Sequence, residues 1–557
     1  MFAPSDDSSY IFCSGPSAPA LVIDRFHGGA ARVVLASEID SLIGPPGERA
    51  KSIVVESVVG LINFPDDRWL VVVTDVQSCS VTTESGASSA VYIKAVVMLP
   101  LKPTSAGGPG GTDGGASVGD VWEPPDSTIS GSELSAATIG AKYRMYVKEL
   151  LEAGDFFLAH EDRAALTHTL QRRAARGPGA ASPSLDDADE RFVWNRVALE
   201  PLAEAGAGVW LTPIMQAAIH TERVALPDGS VLTSSLISRR SAEHAGTRLK
   251  TRGLNDDGAA ANCVETEQIL HLQAKRSAVT AFVQIRGSAP IFWEQRGKTV
   301  NPRPRVSRVL QLTTPAFKEH VDALTATYGS PLLLSLLDQK GDEGELCAAL
   351  ADCVKALSQP PLESAPRLTT FDFHAAAKAS GRADACRSLL QKLASEHQDF
   401  YASHGYFAAR AGVAQPAGTQ KGVVRTNCLD CLNRTNMAQT MLALQSATHQ
   451  MRALLAACDV DERLASGGEW EPLVQAALHK MWMETGDAIS LQYTGTANLS
   501  KGSSITGGET KKSLIERASG LVEKVRGPGD RSHVHASCVP CTPDGGCDLA
   551  PPMTTAH

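Results

Sequence analysis

The chain has 557 residues, of which 43% are apolar and 20% are charged, and its formal net charge is −9. At roughly 150 residues per domain, this length predicts two or more domains with substantial buried cores. The acidic balance argues against general nucleic-acid binding, because a protein that binds the phosphate backbone needs an excess of Lys and Arg. We therefore expect no nucleic-acid partner.

Short apolar runs predict a β-rich N-terminal lobe over residues 1–150. The clearest runs are residues 20–23, 52–55, 69–73 and 91–93. Residues 103–127 are rich in Gly, Pro and Ser, so a flexible loop is expected there. The longest apolar runs fall far short of the roughly 20 residues that cross a bilayer, and no secretory signal is recognisable.

Residues 151–525 are expected to form an α/β catalytic domain, because strand-like and helix-like patterns alternate over most of this range. Helices are predicted near 317–328 and 345–357, and a flexible insertion is predicted at 174–189. Residues 526–557 are polar and rich in Gly and Pro, which predicts a disordered tail. The predicted fold is mixed α/β, with the β-rich lobe packed on the catalytic lobe.

The twelve residues 425–436, RTNCLDCLNRTN, are the most informative segment of the chain. Residues 421–424 are typical of the end of a buried strand, and apolar residues recur at helical spacing over 437–455. The loop is therefore expected at a helix N-terminus. Free backbone N–H groups and the positive end of the helix dipole favour bound phosphate there, and they lower the pKa of a thiol.

Cys428 lies six positions before Arg434, which is the spacing Cys-x5-Arg. A Cys428 thiolate could attack phosphorus while Arg434 holds two phosphate oxygens, so the expected intermediate is a phosphocysteine. Backbone N–H groups between residues 429 and 434 would stabilise the developing charge, which makes the loop residues candidate substrate-binding residues: Leu429, Cys431, Leu432, Asn433 and Thr435. Thr435 is also expected to hydrogen-bond the sulfur. No step needs a metal or a cofactor, and we expect neither.

Other interpretations compete for some of these residues. Cys428 with Cys431, and Cys538 with Cys541, form two Cys-x2-Cys pairs, but a zinc ribbon places its pairs roughly 15 to 20 residues apart. A Cys428–Cys431 disulfide could protect or switch off the nucleophile. The remaining cysteines are scattered, which favours a reduced compartment. The acidic residues Glu265 and Glu267, at i,i+2 spacing, could suggest a glycosidase.

The loop resembles the signature of the Sac-domain phosphoinositide phosphatases. Blocks around it are similar to the same family in the same order, namely 166–172, 191–195, 238–248, 262–267, 283–293 and 486–496. The resemblance implies hydrolysis of an inositol-ring phosphate, preferentially that of phosphatidylinositol 4-phosphate. It further implies a cytoplasmic protein that lies peripherally on endoplasmic reticulum, Golgi or other endomembranes. Arg248 and Arg286, which lie in the matching blocks, and Lys250, two residues beyond one of them, join the candidate substrate-binding residues. Pairing with nearby acids is the competing interpretation for Arg239, Arg240, Arg248 and Arg252.

One position departs from the family pattern, because Asn433 stands where the family usually carries Asp. An amide cannot exchange a proton as a carboxyl does, so Asp430 becomes the candidate proton donor, with a purely bracing role as the alternative. Asp372 and His374 offer a further acid and a histidine. Asn433 also motivates a different hypothesis, a catalytically weak lipid-binding or scaffold protein. A protein tyrosine phosphatase would share the loop chemistry but not the surrounding blocks.

Between residues 271 and 308 there are eight Lys or Arg residues and a single acidic residue, Glu294. The cations are Lys275, Arg276, Arg286, Arg296, Lys298, Arg303, Arg305 and Arg308. Such a run is typical of a solvated surface, and it is also what a protein needs to approach the anionic cytosolic face of a membrane. We therefore expect a basic surface near residues 271–308 and a phosphoinositide lipid as partner.

Overall fold

A computed structural model gives the structure of most of the chain. It describes residues 2–4, 9–13, 20–24, 31–34, 54–83, 86–101, 136–159, 165–176, 185–248, 250–295, 302–358, 366–413, 415–460 and 468–495. The expected loop at 103–127 and the expected tail at 526–557 lie outside these ranges, as do Arg296 and Lys298.

The described part of the chain contains eighteen strands and ten α-helices. The strands are β1 Phe2–Pro4, β2 Ser9–Cys13, β3 Ala20–Asp24, β4 Ala31–Val34, β5 Ser57–Asn63, β6 Arg68–Thr83, β7 Gly86–Pro100, β8 Phe156–Ala159, β9 Met215–Ala225, β10 Val231–Arg240, β11 Val264–Gln273, β12 Ser277–Arg286, β13 Trp293–Glu294, β14 Arg305–Val306, β15 Ser330–Ser335, β16 Arg367–Thr370, β17 Phe407–Arg410 and β18 Gly422–Asn427. The helices are α1 Ala136–Leu151, α2 Leu170–Ala174, α3 Arg196–Glu204, α4 Leu310–Tyr328, α5 Gly341–Leu357, α6 Phe373–Ser380, α7 Arg382–Glu396, α8 Gln398–His404, α9 Asn433–Ala457 and α10 Trp470–Thr494.

A 12-stranded mixed sheet organises the molecule, in the order β16-β15-β18-β12-β11-β10-β9-β8-β7-β6-β5, with β17 paired to β12. From β5 to β12 the neighbouring strands are antiparallel, whereas β12, β18, β15 and β16 run parallel. A four-stranded antiparallel sheet, β1 to β4, packs its apolar residues against those of β5 to β7 and α3. The mixed α/β fold predicted from the sequence is therefore confirmed.

Helices cover both faces of the parallel end of the sheet. On one face, α9 and α10 bury apolar side chains against β10 and β11, and α7 and α8 continue this layer over β15 and β18. On the other face, α4 and α5 pack against β12, β15 and β18. Burial on both faces explains why β18 is buried along its whole length.

Most of the predicted elements are present where the patterns placed them. The runs at 20–23, 69–73 and 91–93 lie in β3, β6 and β7, and the predicted helices lie in α4, α5 and α9. The run at 52–55 is different, because residues 54 and 55 are not in a strand and residues 52 and 53 are not described. Within the expected insertion at 174–189, residues 174–176 end the α2 segment and Leu185–Asp187 form a 3-10 turn. None of the helices in the described ranges is long and apolar enough to cross a membrane.

A buried cluster of charged side chains joins the neighbouring strands β10 and β11. Arg239 donates hydrogen bonds to Glu265 and Glu267, each at 2.8 Å, and all three side chains are nearly inaccessible to solvent. The second oxygen of Glu265 accepts a hydrogen bond from Tyr328, which in turn accepts one from Arg191. Both glutamates are therefore engaged in ion pairs and hydrogen bonds inside the protein. This rules out the interpretation of the two as the catalytic carboxylates of a glycosidase.

We predict that Arg239→Met lowers the free energy of unfolding by about 3–5 kcal/mol, because it removes the cation that both buried carboxylates share and leaves Glu265 with only Arg191 among the described cations, 3.8 Å away. Urea unfolding followed by circular dichroism would measure the loss. The matched control is Arg196→Met, which breaks the exposed Arg196–Glu190 pair and should leave the free energy nearly unchanged. Equal stability of the Arg239 variant and the wild type would contradict the prediction.

Candidate active site

The loop predicted to carry the chemistry connects the central parallel strand to a long helix. Strand β18 ends at Asn427, Cys428 follows at once, and α9 begins at Asn433. Strand β18 lies between β12 and β15, so the loop leaves the sheet at the edge where the carboxyl ends of three parallel strands meet. This edge is where open α/β sheets bind ligands. Within the loop Cys431 has a φ of 55°, which turns the chain sharply into the helix.

Cys428 is buried, and two hydrogen-bond donors point at its sulfur. The backbone N–H of Cys431 donates to Cys428 Sγ at 3.1 Å, and the Thr435 hydroxyl donates to it at 3.2 Å. Burial by itself raises the pKa of a thiol, but hydrogen bonding from Cys431, the positive charge of Arg434 and the Thr435 hydroxyl outweigh it and lower the Cys428 pKa to about 5. The thiol of Cys431 instead donates to the Gly287 carbonyl at 2.8 Å, and its pKa is raised, chiefly by burial. Of the two cysteines, Cys428 is therefore the one that can be a thiolate at neutral pH.

Two acidic residues bind the Arg434 guanidinium. It pairs with both carboxylate oxygens of Glu343, at 2.8 and 2.9 Å, and with Asp338 at 3.1 Å. It also donates to the Leu336 carbonyl at 2.9 Å. These acids flank the start of α5, beyond the end of β15, so they approach Arg434 from the neighbouring parallel strand. A bidentate carboxylate pair of this kind fixes the plane of a guanidinium.

Asp430 is clamped by arginines on the opposite side of the loop. Arg248 contacts both of its oxygens, at 3.0 and 2.9 Å, and Arg252 contacts Oδ1 at 2.7 Å. Arg252 also donates to the Leu429 carbonyl at 3.0 Å and to Gln295 at 2.5 Å. Both carboxylate oxygens of Asp430 are therefore already engaged by arginine donors.

Arg286 lies under the loop and is completely inaccessible to solvent. Its Nη2 donates to Asn436 Oδ1 at 3.0 Å, whereas its Nε and Nη1 have no hydrogen-bond partner among the described residues. Burial lowers its pKa to about 10, and the nearby Cys431 and Cys428 sulfurs oppose that shift. Arg286 therefore puts a buried positive charge beside the sulfurs but does not reach the protein surface.

The other predicted site residues are spread over different environments. Leu432 packs against Val264, Ile489 and Tyr493, so its side chain belongs to an apolar cluster. Leu429 is half-buried beside the core under α4 and α5. Asn433 and Lys250 are both exposed.

Sequence reasoning missed the residues that hold the loop in place, above all Asp338 and Glu343. The available signal was the acidic stretch after β15, because polar residues that follow neighbouring parallel strands meet at one edge of a sheet. His374 reaches the same place, since its Nδ1 lies 3.1 Å from Asp338 Oδ2. Asp372 caps α6 by accepting the Ala375 N–H at 2.8 Å, and its other oxygen accepts the Gln339 N–H at 3.2 Å, beside Asp338. Within the described ranges, no group of three or more His, Cys, Asp or Glu side chains is arranged to hold a metal ion.

We predict that the rate of Cys428 alkylation by iodoacetamide rises with pH through a midpoint near 5, because the thiolate is present above the lowered pKa of about 5 and is lost below it. Peptide mass spectrometry would follow the modification. Thr435→Ala removes one donor to the sulfur and should move the midpoint upward. Cys431, with its raised pKa, serves as the internal control that stays unmodified at neutral pH. A Cys428 midpoint near the ordinary thiol value of about 8.5 would contradict the expected electrostatics.

Comparison with known proteins gives a consistent set of relatives. The family model described as the SacI homology domain matches residues 56–378. Synaptojanin-1 of Rattus norvegicus is 33% identical over 389 residues, which are 69% of this chain and 23% of that protein. Phosphatidylinositol-3-phosphatase SAC1 of Drosophila melanogaster is 32% identical over 380 residues, 67% of this chain and 60% of that protein. Phosphoinositide phosphatase SAC8 of Arabidopsis thaliana is 32% identical over 362 residues, 64% of this chain and 57% of that protein.

The matches therefore span between 23% and 60% of the lengths of these three relatives. The family model covers more than half of this chain, and it ends before the loop that carries Cys428. The sequence blocks recognised around that loop and the family match agree with each other, and the chain belongs to the SacI homology domain family.

Proposed function

We propose that this protein is a phosphoinositide phosphatase that removes a phosphate from the inositol ring through a phosphocysteine intermediate. The observation that carries the proposal is the environment of Cys428. A thiol with a pKa of about 5, at the end of a central parallel strand and six residues before an arginine held by two acids, is arranged for attack on an anionic phosphate. Family membership supports phosphoinositides as the substrate class.

The reaction has two displacement steps. In the first, the Cys428 thiolate forms an S–P bond as the P–O bond to the inositol breaks, and the inositol oxygen takes a proton from water. In the second, water attacks phosphorus and gives up a proton to solvent, the S–P bond breaks, and the thiolate and inorganic phosphate are released. The lowered pKa of Cys428 makes the sulfur both an ionised nucleophile and a good leaving group. The hydrogen bond that the Thr435 hydroxyl donates to Cys428 Sγ stabilises the thiolate in both steps.

Arg434 is the proposed clamp for the phosphate oxygens. The guanidinium has five N–H donors, and Glu343 and Asp338 occupy one side of it. Backbone N–H groups at the start of α9 and the helix dipole supply further stabilisation of the developing charge. In this scheme Glu343 and Asp338 orient Arg434 and never touch the substrate.

Asp430 and Arg286 take supporting roles in this proposal. The two arginine contacts to Asp430 favour the bracing role over proton donation, and they place Arg248 at the exposed side of the loop. The buried guanidinium of Arg286 supports the thiolate and the phosphocysteine as a fixed positive charge, since an unpaired buried cation is stabilised by an anion beside it. Lys250, exposed beside the same arginines, is proposed to meet the headgroup.

Phosphatidylinositol 4-phosphate is the proposed preferred lipid, on the resemblance of the loop and its flanking blocks. The Drosophila relative is named as a phosphatidylinositol-3-phosphatase, so the 3-phosphate is the direct competitor. We further propose that the protein acts peripherally on the cytosolic face of endomembranes, where this class of lipid is found.

We predict that the purified full chain releases phosphate from phosphoinositide vesicles and that Cys428→Ser lowers kcat by about a thousandfold or more, because the hydroxyl is a far weaker nucleophile at neutral pH. Each phosphatidylinositol monophosphate would be tested separately with a phosphate-release assay. Cys458→Ser, in a buried cysteine outside the loop, is the matched control and should retain activity. Equal activity of the Cys428 variant and the wild type would end the phosphocysteine proposal. Release from phosphotyrosine peptides but not from lipid would favour a protein tyrosine phosphatase.

A second candidate function is a catalytically weak phosphoinositide-binding protein, and Asn433 is the observation that favours it. Asn433→Asp restores the usual family carboxyl at an exposed position in the first turn of α9, where an acid also suits the helix dipole. Under the phosphatase proposal we expect the wild type to be active already, and the variant to change kcat by less than about tenfold. An inactive wild type that gains activity from this substitution would support the binding protein instead.

A further inference from the structure

The fold divides the basic run at residues 271–308 into separate parts. Lys275 and Arg276 lie at the hairpin between β11 and β12, and Arg286 lies at the other end of β12. Because β12 has ten extended residues, its two ends are about 30 Å apart. Arg286 is buried, so the described cations of the run do not form one continuous basic surface. What remains near the candidate site is the exposed segment around β14 and the start of α4.

Residues 305–312 form an exposed patch of mixed basic and apolar side chains, which we call the 305–312 patch. All eight residues are exposed, and none is acidic. Ten large apolar side chains are exposed in the described parts of the chain, and four of them lie in this one segment. They are Val306, Val309, Leu310 and Leu312, of which Val309 and Leu312 are each 62% exposed. Such clustering marks an interaction surface, whereas single exposed apolar residues need no explanation.

The patch also contains an uncapped helix N-terminus. Val309 occupies the N-cap position of α4 and makes no side-chain capping bond, and the first turn contains no acid. Ser, Thr, Asp and Asn are strongly preferred at this position, and Val is among the poorest residues there. The positive end of a 19-residue helix therefore faces outward among apolar side chains and arginines. This combination suits an anionic and partly apolar partner.

Two chains of contacts connect the patch to the catalytic loop. Val306 pairs with Trp293 in the β13–β14 hairpin, and the Trp293 ring lies against Arg252, which binds Asp430. On the other side Arg303, just before the patch, contacts Asp342 at 3.6 Å, and the next residue, Glu343, holds Arg434. The patch therefore borders the same edge of the sheet as the loop.

The charges at the patch favour anionic headgroups only modestly, so the apolar residues carry much of the argument. Arg308 is paired with the exposed Asp256 and lies over the Phe292 ring. Arg305 makes no ion pair with another described residue, although Glu294 is opposite it across the hairpin. Exposed ion pairs such as Arg308–Asp256 contribute little and can exchange for a lipid phosphate.

We propose that the 305–312 patch inserts into the headgroup region of an anionic bilayer and thereby turns the candidate site toward the membrane. The proposal rests on the proposed function in one respect, because only a lipid substrate gives the insertion a catalytic purpose. Apolar side chains enter the acyl boundary, Arg305 contacts lipid phosphates, and the free N–H groups of α4 face the same anionic layer.

The test is binding of the full chain to phosphatidylcholine vesicles with and without phosphatidylserine, measured by cosedimentation. The patch variant combines Val309→Ser, Leu310→Ser and Leu312→Ser. The matched control combines Val413→Ser, Leu473→Ser and Leu491→Ser, which are exposed to a similar degree elsewhere. Serine at position 309 supplies the missing cap, so the patch variant should be no less stable than the wild type, and loss of binding could not be attributed to unfolding.

We expect the patch variant to bind phosphatidylserine vesicles at least about tenfold more weakly than the wild type and the control. Its kcat/KM should fall by a similar factor on vesicle-embedded phosphoinositide and stay unchanged on a water-soluble short-chain phosphoinositide. If the patch variant bound phosphatidylserine vesicles as tightly as the wild type does, the proposal would be overturned. A change of oligomeric state on gel filtration would also overturn it, in favour of a contact between two copies. If the wild type binds these vesicles but hydrolyses neither substrate, the proposed function fails while the membrane patch stands.

Discussion

The parallel pairing of β18 with β12 and β15 is the constraint on which the candidate site depends. It brings the carboxyl ends of three strands together, so that the segment after β18 meets the segments after the other two. Cys431 therefore lies beside Gly287, which follows β12, and Arg434 lies beside Asp338 and Glu343, which follow β15. Helices on both faces bury this part of the sheet and make the strand ends a rigid support.

Charge around the loop is arranged in three separate sets that act on different parts of it. Arg248 and Arg252 bind Asp430 on one side, and Glu343 and Asp338 bind Arg434 on the other. Arg286 lies underneath, close to the sulfur of Cys428, and two of its nitrogens have no hydrogen-bond partner in the part of the chain that the structure describes. Each set acts on one feature of the loop, namely its outer shape, the plane of its arginine and the charge beneath it. The low pKa of the buried Cys428 thiol comes from the hydrogen bond of Cys431, the charge of Arg434 and the Thr435 hydroxyl, which together outweigh the cost of burial.

The basic run at 271–308 illustrates how a linear pattern can mislead about a surface. Eight cations in one stretch predict one basic surface, but among the described residues strand β12 separates Lys275 and Arg276 from Arg303, Arg305 and Arg308 and buries Arg286 at its end. The described surface that remains combines Arg305 and Arg308 with apolar residues at the start of α4. Its character is therefore amphipathic, which the count of charges could not reveal.

The sequence by itself determined the mixed α/β class, the main helices and strands, and the loop from Cys428 to Arg434 between a strand and a helix, because these depend on local periodicity and on the spacing of a few residues. Only the tertiary structure decided what surrounds the loop. Asp338 and Glu343 lie about 90 residues from Arg434 along the chain, and Arg248 lies 182 residues from Asp430. It also assigned Arg286 to the interior and Leu432 to an apolar cluster. These contacts depend on strand order and register, which local patterns do not encode, since pairing between distant segments is fixed only when the whole sheet assembles.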